Sequence, residues 1–214
     1  MNQVDKLKTL SPLSYFDKNA FLQVMELSEN SLYADVKRWL KKGLIVQLKK
    51  GFYVTGAYYE KTASVEAYPE FIANKLCEPS YLSTEYVLQK HGVLTEAVYA
   101  FTSVTLKTKR SFANKLGRFI YQNIKEGLFD GYEILDKNGF QIKMAVKPKA
   151  LFDYLYLKLF RTVFFDEKLI ESLRLNLDSF SRKDFSEFAG YCEKTEIAKF
   201  LELPKLLRSQ GGKR

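Results

Sequence analysis

Residues 36–54 read VKRWLKKGLIVQLKKGFYV. With Leu32 just upstream, Val36, Trp39 and Leu40 recur at i, i+4, i+7 and i+8, the apolar stripe of a helix that buries one face. Gly43 follows where a left-handed residue would stop that helix. LIVQL (44–48) reads as a strand, Lys49-Lys50-Gly51 as a turn, and FYV (52–54) as the returning strand. Working upstream, Val4, Leu7 and Leu10 predict a helix over 3–10. Asp17 is placed to cap a second helix carrying Phe21, Val24 and Leu27, and Asn30 or Ser31 to cap the third. Three helices and then a two-stranded ribbon is the order of a winged helix-turn-helix, assigned here to residues 1–58.

With that stripe turned inward, Ser31, Tyr33, Lys37, Arg38, Lys41 and Lys42 are left outward, and Lys49 and Lys50 fall at the ribbon tip. A helix with one apolar stripe and one cationic face suits a major groove, with the ribbon tip on the adjacent backbone. Arg38 is the candidate for a bidentate contact to guanine; the lysines suit phosphates, and Tyr33 and Ser31 a base edge or a phosphate. The same lysines on an isolated helix would be no more than a solvated face.

The chain has 214 residues, 46% of them apolar, enough for a core and one or two domains. Lys and Arg outnumber Asp and Glu by 34 to 25, which favours a polyanionic partner. Residues 1–58 hold nine basic and five acidic side chains and are the most basic part per residue. Cys77 and Cys192 have no CxxC neighbour, so neither a disulfide framework nor a zinc site is implied. The start, MNQVDKLKTL, lacks a secretory apolar segment, and the most apolar run, 151–165, is short and cut by Asp153, Lys158 and Arg161. No membrane partner is expected, and a reducing cytoplasm is the expected compartment.

Residues 59–214 read as a second α+β domain. Residues 56–70 look like a link, and Val65 to Leu76 a helix stopped by Pro79. Ser80 or Ser83 is placed to cap a further helix to about Gln89, closed at His91-Gly92. Strands are predicted at 97–106, 118–124, 131–135 and 140–146, the last two joined by a DKNG turn, as a mainly antiparallel sheet. Helices follow at 149–163, 167–176, 182–192 and 195–208, with Asp166 and Ser181 as caps and Asp184 completing a capping box. The fold class expected is therefore α+β: a winged helix-turn-helix, an antiparallel-sheet domain, and C-terminal helices.

Three further features carry chemistry less directly. KTKR (107–110) places Lys107, Lys109 and Arg110 between strands, either as an additional DNA or partner contact or as a charged edge that deters sheet pairing. His91 reads as a helix cap, and both cysteines as packing residues. A metal-dependent nuclease would need paired carboxylates ahead of a lysine. Here Asp130, Glu133 or Asp136 is followed by Gln141-Ile142-Lys143, so the second carboxylate is a glutamine and metal binding is weakened. No catalytic residue, metal ligand or cofactor is assigned.

The run LCEPSYLSTEYVLQKHGVLTEAVYAFTSVTL (76–106) resembles the AbiEi antitoxin family, the regulator half of bacterial abortive-infection toxin–antitoxin pairs. LKKGLIVQLKKGFYV is similar to the end of that family's winged helix, LGRFIY (116–121) to its next strand, and AVKPKALFDYLYL (145–157) to its helix entry. The resemblance covers about residues 13–157. It departs from the family's usual Pro-Glu-Lys-Ala-Leu, which here is Lys147-Pro148-Lys149-Ala150-Leu151, while Lys149, Ala150, Leu151 and Asp153 still fit. The resemblance implies a non-catalytic antitoxin that also represses its own operon by binding double-stranded operator DNA, and a nucleotidyltransferase-like toxin as the cognate partner. The alternative is a stand-alone winged-helix regulator with a ligand-sensing C-terminal domain.

Overall fold

The computed structural model describes residues 3–26 and 28–211 and has a mixed α+β fold. The chain divides into two compact units, one of Met1–Pro69 with Phe112–Gly117, the other of Glu70–Ser111 with Arg118–Arg214. The first unit thus runs past residue 58 to Pro69, and residues 56–62, expected as link, are helical.

In the first unit the order is α1 (Gln3–Lys8), β1 (Phe16–Asp17), α2 (Lys18–Met25), α3 (Glu29–Lys41), β2 (Ile45–Lys49), β3 (Phe52–Thr55) and α4 (Gly56–Thr62). Asp17 caps α2 as expected, its carboxylate accepting from the Ala20 amide at 2.8 Å. Ser28 caps α3, two residues ahead of the expected Asn30 or Ser31: its hydroxyl accepts from the Ser31 amide. Val36 and Trp39 are buried with Leu7, Leu10, Phe16, Phe21, Met25, Ile45 and Tyr53, and Leu40 and Val24 pack half-buried against them. Leu27 and the side chains of Val4, Asn30 and Leu32 lie outside the described residues. Gly43 takes φ +70° just after α3, where a side chain would be strained. β2 and β3 pair antiparallel, with a register shift between Gln47 and Lys49, and β1 adds a third strand through Phe16 opposite Tyr53.

Gly56 is required for a different reason. A Cβ there would stand 2.0 Å from the Gly43 carbonyl oxygen, a backbone atom with no rotamer to yield. Gly56→Ala is expected to cost about 3 kcal/mol or more, read as a lower urea midpoint.

The second unit contains most of α5 (Ala67–Leu76), then β4 (Ser80–Leu82), α6 (Thr84–Lys90) and β5 (Ala100–Thr105). β6 (Arg110–Asn114) and β7 (Gly117–Asn123) follow; the part of them within 112–117 belongs to the first unit. Next come a 3-10 turn (Glu126–Leu128), β8 (Tyr132–Lys137), β9 (Phe140–Ala145), α7 (Lys147–Leu159), α8 (Glu167–Ser172), α9 (Arg182–Glu193) and α10 (Ala198–Gly211). The strand order is β6-β7-β5-β4-β9-β8. The expected antiparallel sheet is corrected to a mixed one. β4/β5 and β8/β9 are antiparallel, but β5/β7 and β4/β9 are parallel, the latter placing Leu82 opposite Met144. Alternation along a strand reports which face is buried and says nothing of a neighbour's direction. Of the two expected caps of α6, Ser83 takes the N-cap position, without a side-chain cap hydrogen bond, whereas Ser80 begins β4, whose three wholly buried residues carry no alternation. Asp166 and Ser181 cap α8 and α9, the latter with the Asp184 capping box. No helix among the described residues is long and apolar enough to cross a membrane.

Among the described residues, the charged side chains buried in this unit, Glu70, Lys149 and Asp153, fall in two clusters. Lys149 and Asp153, one turn apart on α7, are fully buried and paired at 2.8 Å. The Tyr81 and Ser83 hydroxyls donate to Asp153 Oδ2 at 3.0 and 2.7 Å, and Lys149 Nζ donates to the Leu128 carbonyl at 2.6 Å. Burial pushes the Asp153 carboxyl up, against the pull of Lys149 and the two hydroxyls. The Tyr-Leu-Ser segment and the Lys-Ala-Leu-Phe-Asp segment, 70 residues apart, are thereby joined in one network.

Glu70 forms the second cluster. Burial alone would raise its carboxyl, but hydrogen bonds from Lys90 (2.6 Å), Lys137 (2.9 Å) and Tyr86 (2.7 Å) outweigh that and hold it below the usual glutamate range. A carboxylate with a depressed folded pKa contributes stability above its unfolded value, about 4.3, and loses it as pH falls through the folded value. Wild type is therefore expected to lose more stability between about pH 5 and pH 3 than Glu70→Gln does, measured by urea unfolding at each pH.

Candidate nucleic-acid interface

Burial of Val36 and Trp39 decides which way the rest of α3 points. Ser31, Tyr33, Lys37, Arg38, Lys41 and Lys42 are all exposed, Tyr33 by 54%. From Tyr33 to Lys41 this face runs about 12 Å at 1.5 Å per residue. Arg38 is already engaged, with its guanidinium 2.6 Å from Asp35 and 6.0 Å from the Trp39 ring centroid. A base contact by Arg38 has to displace Asp35, whose carboxylate is largely covered while the guanidinium is exposed.

The hairpin treats its two lysines differently. Lys50 is exposed at the turn, where Gly51 takes φ +75°. Lys49 is half-buried, with Nζ 4.9 Å from the Phe52 ring centroid and 5.7 Å from that of Phe112. Its ammonium is therefore held near two ring faces.

Lys18 is a further basic residue at this place. It begins α2, its amide donates to the Gly51 carbonyl at 2.9 Å, and its Nζ sits 5.2 Å from the Tyr33 ring centroid. One lysine therefore touches both the hairpin turn and the exposed edge of α3. Tyr53 lies close by: burial pushes its hydroxyl up, and Gly51, Tyr33 and Lys18 all act on it. The helix face and the ribbon tip meet around these residues. No local pattern marks Lys18, since its position depends on β1 pairing with β3.

Lys107, Lys109 and Arg110 belong to the second unit, between β5 and the start of β6. The two lysines are exposed; Arg110 is half-buried and folds back, donating from Nε and Nη2 to Thr108 at 3.0 and 2.9 Å. β7 lies between β5 and β6 in the sheet, so this segment links strands that are not neighbours.

The remaining candidates take packing and capping positions. His91 is the C-cap residue of α6, with Gly92 following at φ +69°. Cys77 and Cys192 are buried, free thiols, and burial pushes the Cys192 thiol up to about 12. Asp136 accepts from the Gly139 amide and from the Gln141 side chain, closing the β8–β9 turn. Among the described residues no group of three His, Cys, Asp or Glu side chains is placed to hold a metal ion.

No protein-family model matches the chain, and no curated protein matches it.

Proposed function

We propose that the first unit is a winged helix-turn-helix that binds double-stranded operator DNA, with α3 in the major groove and the β2–β3 turn on the flanking backbone. The observation that carries this reading is the meeting of α3's exposed cationic face with the hairpin turn at Lys18. Phosphate contacts from the lysines would set register and supply most of the affinity, leaving sequence readout to Arg38, Tyr33 and Ser31. The first test is a mobility-shift titration on DNA from the protein's own promoter. Saturable retardation that weakens steeply with salt is expected, and an absence of retardation at low salt overturns the reading.

We further propose, from the resemblance of residues 76–106 and 145–157, that the protein is the antitoxin and autorepressor of a toxin–antitoxin operon. On this reading it acts in the bacterial cytoplasm, needs no cofactor, and counters a nucleotidyltransferase-like toxin. Co-expression with the gene adjoining its own should restore growth that the neighbour alone arrests; continued arrest would remove the antitoxin role while leaving DNA binding standing.

A further inference from the structure

The second unit holds a half-open cavity of about 600 Å³ that the DNA-binding reading does not use. Its charged lining comes from Arg118 on β7, Lys158 on α7, Arg174 after α8, Glu85 on α6 and Glu96 in the segment before β5. Lys158 donates to the Tyr154 hydroxyl at 2.7 Å. Among the described residues, the side chains of Arg118, Arg174, Glu85 and Glu96 make no hydrogen bond or ion pair. Arg118, Arg174 and Glu96 are exposed and Glu85 is half-buried, so two guanidiniums and two carboxylates without protein partners line one solvent-reachable cavity.

The backbone around the cavity is strained. Arg174 takes φ +51° and Thr84 φ +53°, the left-handed region, where a β-branched residue is an outlier. Thr84 lines a smaller cavity of about 250 Å³ that shares Glu85, Tyr154 and Lys158 with the larger one. Thr84 is held there by its hydroxyl, which donates to Thr102 Oγ1 at 2.8 Å. Strained positions persist where their surroundings over-determine them, and they gather at ligand sites.

The lining selects the ligand. Guanidinium forks match the oxygens of a dianionic phosphate, and an ammonium lining the same cavity adds to the attraction. A bare inorganic anion would leave Glu85 and Glu96 without donors and most of the volume unfilled. A ligand that also offers hydroxyl or amino groups would meet both needs. We propose that this cavity binds a phosphate monoester of a hydroxyl-bearing small molecule, of sugar-phosphate or nucleoside-monophosphate size.

Isothermal titration of the full chain at low salt tests this, using glucose 6-phosphate, adenosine 5′-monophosphate, inorganic phosphate, glucose and adenosine. At least one monoester should bind saturably, with inorganic phosphate and the unphosphorylated parents at least about tenfold weaker. Which of the two esters binds separates a sugar phosphate from a nucleotide. Arg118→Ala and Arg174→Gly should each weaken the ester about tenfold; the glycine preserves the left-handed backbone, and unchanged circular dichroism verifies the fold. Lys41→Glu with Lys42→Glu should leave ester binding unaltered, which separates this cavity from anion binding on α3. Failure of both esters to bind saturably, equal binding by wild type and both arginine variants, or inorganic phosphate binding as tightly as the ester overturns the proposal.

Discussion

Lys41→Glu combined with Lys42→Glu is expected to abolish retardation of promoter DNA while leaving the fold intact. Both lysines are exposed at the end of α3, outside the cluster around Trp39, so reversing them leaves the core alone. On the DNA side the change is large. Each phosphate contact adds roughly 0.9 to the slope of log affinity against log salt. Contacts from Lys37, Lys41, Lys42, Lys49 and Lys50 would bring that slope near −4.5, or a loss of roughly 500-fold between 50 and 200 mM salt. Replacing two of these five cations by acids removes their attraction and adds repulsion from the same phosphates. The check is a mobility shift at several salt concentrations beside circular dichroism of the variant. Retardation equal to wild type would mean that α3 does not face DNA.

The second large effect concerns stability. Lys149→Met leaves Asp153 buried without its cation, and breaking such a pair costs about 3–5 kcal/mol. Lys149 also loses its bond to the Leu128 carbonyl, so that acceptor is stranded too. For a protein of this size the melting temperature should fall by roughly 10 °C. Lys149→Met with Asp153→Leu should recover part of the loss, since an apolar pair of similar volume needs no solvation. A single variant as stable as wild type would show that the pair contributes nothing. The double variant distinguishes an uncompensated charge from a simple packing defect, because only the former is relieved by removing the second charge.

Most of the expected helix caps agree with the structure, the α3 cap, which falls at Ser28, excepted. Asp17, Asp166 and Ser181 cap their helices because a cap needs only a short polar side chain and the next few amides. The α3 stripe was legible from Val36 and Trp39, and Gly43 and Gly51 marked the reversals on either side of β2. Exposure of the eight candidate contact residues of the first unit followed as the complement of that stripe, except that Lys49 lies half-buried on rings, one of them from Phe112, far along the chain. Nothing within its own helix distinguishes Lys18.

What the sequence determined by itself is most of the helix caps, the β2–β3 hairpin, the cationic character of α3, and the basic balance of the chain, since each depends on composition or on residues within about one helical turn or one hairpin. Tertiary structure alone decided that β4 is a central strand beside β9, that Lys149 and Asp153 are buried together beneath Tyr81 and Ser83, and that Arg118 and Arg174 line one cavity. Those are meetings of segments tens of residues apart. Periodicity tells which face of a segment avoids water, but the partner on that face is chosen by the whole chain at once.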